Sequence, residues 1–148
     1  MTNTNDRPGD RASGDANGDS GREWTPVTLG DDVPPPAGPY SPAVRAGPFV
    51  FISGQVPRDP RTGEAAGGGI TGQTRQVLTN LRRALEAAGA SIEHVVQVTV
   101  YLADEQDWGA FNEVYREFFR PPYPTRTVVG AGLRGILVEV NAVAYLGN

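Results

Sequence analysis

Two periodicities divide the chain. In the closing run, Ile136, Val138, Val140, Ala142 and Ala144 share one face by strand alternation, and Leu137, Glu139, Asn141, Val143 and Tyr145 share the other. By contrast Ile70, Thr74, Val77, Leu78, Leu81, Leu85 and Ala88 follow the three-and-four spacing of an amphipathic helix about five turns long. Thr71 suits its N-cap and Gly89 its C-terminal stop. A second helix, capped by Asp104 and ended by Pro121-Pro122, carries Trp108, Phe111, Tyr115, Phe118 and Phe119 as an aromatic stripe of the kind that faces a core.

The remaining apolar runs predict strands over residues 24–29, 43–46, 49–53, 95–102 and 125–129. Residues 43–46 and 49–53 form a hairpin about Gly47-Pro48, and residues 95–102 put Val96, Val98, Val100 and Leu102 on one face. Pro34-Pro35-Pro36 stiffens the approach to Tyr40 into an extended segment. Gly67-Gly68-Gly69 lacks the spacing and the lysine of a phosphate loop, so it reads as a flexible connection. The predicted order is β-β-β-α-β-α-β-β. This is an α+β fold, a mixed sheet with both helices on one face, and the uncovered face calls for a second copy of the chain. Residues 1–23 hold too few apolar side chains to offset ordering entropy; they predict a disordered tail before a single domain at 24–148.

Composition removes several chemistries. A net charge of −4 argues against a nucleic-acid surface. With no cysteine there is no thiolate metal site and no cysteine nucleophile. The single histidine, His94, reads as a boundary residue and leaves no serine-type triad, and no metal or organic cofactor is expected. All 13 basic residues are arginine, which excludes Schiff-base lysine chemistry. No run approaches the ~20 apolar residues of a membrane span, and the amino terminus lacks a signal peptide's hydrophobic region. The expectation is a cytoplasmic protein without membrane partners.

Polar residues at element ends are then the candidates: Tyr40, Ser53, Asn112, Arg126 and Glu139. A carboxylate in an apolar strand needs a cation or hydrogen-bond donors, or it takes up a proton. Arg126, at the head of the strand before, is the candidate cation. The two residues on neighbouring strands are either a structural ion pair or a site in which Arg126 grips a small carboxylate and Glu139 handles a water.

The motifs themselves are familiar. Pro36-Ala37-Gly38-Pro39-Tyr40-Ser41-Pro42-Ala43-Val44, Phe51-Ile52-Ser53-Gly54-Gln55-Val56-Pro57, Phe111-Asn112-Glu113-Val114-Tyr115, Pro124-Thr125-Arg126-Thr127 and Val138-Glu139-Val140-Asn141-Ala142-Val143-Ala144 resemble, in order and spacing, the RidA/YjgF family of enamine/imine deaminases. The resemblance covers about residues 33–146. It implies the YjgF/chorismate mutase-like fold, a homotrimer around a barrel-like core, and active sites between subunits. It also implies hydrolysis of 2-enamines and 2-imines such as 2-aminoacrylate to 2-keto acids and ammonia. By position, Arg126 matches the arginine that pairs with the substrate carboxylate and Glu139 the acid that activates water. Tyr40, Ser53 and Asn112 match residues lining the cleft. Val128 replaces a cysteine that many members carry, and Asn141 a second acid. The alternatives of the same fold are a non-catalytic sensor of 2-keto acids and a pathway-specific imine hydrolase.

Overall fold

The alternation in the closing run is realised as an interior strand of one sheet. The computed structural model describes residues 21–148, so the expected disordered tail falls almost wholly outside the described residues. In chain order the elements are β1 (Trp24–Val27), β2 (Ala43–Ala46), β3 (Phe49–Gln55), α1 (Gly69–Ala87), β4 (Val95–Leu102), α2 (Trp108–Phe118), β5 (Thr125–Gly130) and β6 (Val138–Tyr145). The strands stand in the order β1-β2-β3-β6-β4-β5. All neighbours are antiparallel except β4 and β5, which α2 joins as the crossover that parallel strands require. The fold is the expected mixed α+β sheet with two helices, and within one chain the sheet is open rather than closed.

Alternation decides what β6 buries. Val138, Val140, Ala142 and Ala144 are buried with Val50 and Ile52 of β3 and Val98, Val100 and Leu102 of β4. Against them lie Val77, Leu78, Leu81, Ala84 and Leu85 of α1 and Phe111, Tyr115 and Phe119 from α2 and its end. Complete burial of each large aliphatic side chain contributes about 1.5–3 kcal/mol. On the other face Phe51 pairs with Val143, Phe49 with Tyr145 and Tyr101 with Glu139. Phe49 and Phe51 stay 39% and 42% exposed, which leaves an apolar stripe on the uncovered side.

Four details depart from the periodic reading. In β4 the register shifts between Val95 and Gln97, so Val95 is buried and Val96 is exposed. Thr71 does not cap α1. The helix starts at Gly69 after left-handed turns at Gly68 and Gly69, φ 85° and 62°, where a side chain would be strained. The glycine run is thus a turn of defined shape. Asp104 caps a short 3₁₀ turn (Glu105–Asp107) leading into α2, its carboxylate accepting the Gln106 N–H at 2.9 Å. Trp108, first in the stripe, is half-exposed rather than in the core.

Two buried amides tie α1 to the sheet. Asn80 donates to the carbonyls of Val56 (2.9 Å) and Arg58 (2.8 Å) and accepts from Gln76 (2.9 Å), while the Gln73 side chain accepts the Leu137 N–H at 2.8 Å. Among the described residues no helix is long and apolar enough to cross a membrane. Leu81, fully buried between α1 and the sheet, gives a direct test of the core: Leu81→Ala should cost about 2–5 kcal/mol in urea unfolding.

Candidate functional site

Strand parity separates the two residues that the sequence suggested as a pair. β5 and β6 are not neighbours, because β4 runs between them. Arg126 pairs with Val98, whose side chain faces the helices; Glu139 pairs with Tyr101 on the uncovered face. The two lie on opposite sides of the sheet, so an intramolecular Arg126–Glu139 ion pair is ruled out. The ion pairs found among the described residues join Arg61 to Asp59 and Arg75 to Glu117.

Glu139 opens onto a cleft of about 640 Å³ shared with Tyr40, Ser53, Gly54, Arg58 and Arg134. The half-buried carboxylate has no hydrogen-bond or ion-pair partner among the described residues. It lies across Gly54, where a Cβ would come within 2.9 Å of its Oε1. A side chain at position 54 would therefore have to displace the acid, which occupies its space. The Ser53 hydroxyl donates to the Ser41 carbonyl at 2.6 Å, and the Tyr40 hydroxyl accepts the Ala37 N–H at 3.1 Å. The first bond ties the Pro-rich segment to β3, and the second is internal to that segment. Ser53 has no histidine beside it: His94 sits in an exposed turn, its Nδ1 accepting the Ser91 N–H at 3.1 Å.

Arg126 and Asn112 line a second cavity, of about 280 Å³, with Tyr115, Arg116, Tyr123 and Pro124. Three rings surround the guanidinium: its Cζ lies 4.7 Å from the Tyr115 centroid, 5.1 Å from Trp108 and 5.8 Å from Phe111. Ring quadrupoles hold a cation without neutralising it. No acid or carbonyl hydrogen-bonds to Arg126 among the described residues, so its five N–H donors remain available to an anion. Two further polar atoms here, the Asn112 carboxamide oxygen and the Tyr115 hydroxyl, are buried without a partner. Burial pushes the Tyr115 phenol up to about 12; the Arg126 cation opposes this and the neighbouring Tyr123 adds to it.

The structure thus gathers Tyr40, Ser53 and Glu139 in one cavity and Asn112 and Arg126 in another. Sequence reasoning missed Gly54, whose role depends on an approach across strands, and the cage of Trp108 and Tyr115. The aromatic stripe was the available signal for the cage, since one side of it is core and the other receives Arg126. No cluster of three or more His, Asp or Glu side chains able to hold a metal occurs among the described residues.

With this geometry in place, comparison with known proteins is informative. Residues 31–146 match the sequence model of the endoribonuclease L-PSP family. The chain is 48% identical over 121 residues to a RutC family protein of Pyrococcus horikoshii, covering 80% of this chain and 96% of that protein. It is 42% identical over 117 residues to the mouse 2-iminobutanoate/2-iminopropanoate deaminase, covering 78% of this chain and 87% of the other. The crystal structure of Escherichia coli TdcF with bound serine superposes with a TM-score of 0.76 at 33% identity, covering 82% of this chain and 98% of TdcF. The chain belongs to the endoribonuclease L-PSP, or YjgF/RidA, family.

The Gly54–Glu139 approach has a structural consequence that can be checked. Gly54→Ala should still fold, because the flexible end of Glu139 can give way, and a crystal structure of the variant should show that carboxylate displaced from its position over residue 54.

Proposed function

We propose that this protein hydrolyses 2-imino acids and their 2-enamine tautomers, 2-aminoacrylate among them, to 2-keto acids and ammonia. In this reading it acts as a homotrimer whose clefts join the Arg126 cavity of one chain to the Glu139 cavity of the next. One observation carries the proposal. A guanidinium without a counter-ion and a carboxylate without a donor sit on opposite faces of the same sheet, each in its own cavity, which supports completion of each half by another chain. The exposed stripe of Phe49 and Phe51 on the uncovered face supports such an assembly. The names of relatives at about 40% identity supply the substrate class.

The chemistry needs little beyond placement. Arg126 holds the carboxylate of the substrate bidentately and so fixes C2. Glu139 takes a proton from water as the oxygen bonds to C2, and the imine nitrogen gains a proton, giving a carbinolamine. The hydroxyl proton is then relayed to the amino nitrogen as the C–N bond breaks, so nitrogen leaves as ammonia with the bonding pair and the ketone forms. One water is consumed for each ammonia released. Glu139, half-buried and unpaired, is suited to exchange that proton.

Two experiments test the reading. Arg126→Ala should nearly abolish hydrolysis of imines generated in situ by an amino-acid oxidase while the oligomer stays intact, and Glu139→Gln should lower turnover by about 10²-fold or more. Full wild-type turnover in an assembled Arg126→Ala protein would refute the arginine assignment. Binding of 2-keto acids without any acceleration in the wild type would instead make the protein a sensor. The second experiment reads the split site. Unfolding Arg126→Ala and Glu139→Ala chains together and refolding the mixture should restore about a quarter of wild-type activity, the share of trimer interfaces that pair two intact halves. Refolding either variant alone should restore none.

A further inference from the structure

The Arg126 cavity holds more polar groups than a carboxylate-binding arginine requires. Tyr115 is 4% exposed, and its hydroxyl is buried with no hydrogen-bond partner. The Asn112 carboxamide oxygen, one helical turn earlier on the same side of α2, is also buried and unpaired. The hydroxyl, the carboxamide oxygen and the guanidinium all leave hydrogen-bonding capacity unused on residues that line one cavity. Phenols buried in protein interiors normally find a partner. The ring is not free to seek one, because it stacks on Phe119 (4.4 Å between centroids, 15° between planes) on one side and meets Arg126 at 4.7 Å. Its hydroxyl direction is therefore set by packing, as a preorganised donor requires.

We propose that the Tyr115 hydroxyl is a substrate-binding donor, giving the carboxylate gripped by Arg126 a further hydrogen bond. The proposal rests on the deaminase reading and deepens it. The chemical match is complete: a 2-imino acid offers a carboxylate that accepts from Arg126 and Tyr115 and an imine N–H that donates to the Asn112 oxygen. A phenol pushed up to about 12 stays protonated through the neutral range, so it donates where a phenolate would repel the carboxylate.

Tyr115→Phe removes the hydroxyl and nothing else. In the full-length chain it should raise KM for 2-iminopropanoate about tenfold and weaken calorimetric binding of 2-oxobutanoate by about the same factor, the effect of one charge-assisted hydrogen bond. Turnover at saturation should stay within about twofold, because the lost bond holds substrate and transition state alike. The melting temperature should hold or rise, since losing an unpaired buried hydroxyl removes a desolvation penalty. An unchanged KM and unchanged 2-oxobutanoate affinity would overturn the proposal, as would a lowered melting temperature with unaltered binding, the mark of a structural hydroxyl. Wild-type protein that neither hydrolyses imines nor binds 2-oxobutanoate would overturn the deaminase reading itself. An active wild type with an indifferent Tyr115→Phe would overturn only the tyrosine assignment.

Discussion

Strand parity is the constraint on which the rest of the molecule depends. Each strand residue is committed to one face, and a neighbour to the other, with no intermediate choice. In β6 that commitment gives Val138, Val140, Ala142 and Ala144 to the helices and Glu139 to the open side. In β5 it turns Arg126 toward α2. The core and the separation of Arg126 from Glu139 therefore have one origin: the arrangement that buries four apolar residues of β6 also holds Glu139 away from the arginine of its own chain. Slipping β6 by one residue to unite them would bury the carboxylate and expose the core.

Much of the architecture could be read in advance because it rests on local pattern. Helical spacing of Val77, Leu78, Leu81 and Leu85 and the turn residues Gly47-Pro48 and Pro121-Pro122 are one-dimensional signals, and the element order follows from them. Failures came where the deciding contact is remote or a single residue is inserted. The shift in β4 exchanged Val95 for Val96 without any mark in the hydrophobic pattern. The start of α1 moved to Gly69 because the approach is built from glycines, while Thr71 looked like a good cap.

The candidate residues were found as a set, but their grouping was not legible. Arg126 and Glu139 are thirteen positions apart in the chain, a spacing that suits a hairpin of adjacent strands. β4 inserts itself between them, and chain order cannot reveal a strand that returns from elsewhere. Similarly, Gly54 is silent in the sequence until Glu139 is seen lying over it. The aromatic residues of α2 were assigned to a core, which is correct for Phe111, Tyr115 and Phe119. They also provide the faces on which a cation rests unneutralised.

The two buried amides of α1 bear on motion as well as on stability. Asn80 grips the carbonyls of residues 56 and 58 on one wall of the Glu139 cleft, and Gln73 grips the amide of residue 137, two positions before the acid itself. Both walls are fastened to a single rigid rod, two turns apart along it. When that helix shifts under thermal agitation, rim and acid travel together. The two fastened walls of the cleft therefore share one point of reference, and a displacement of α1 carries both in the same direction.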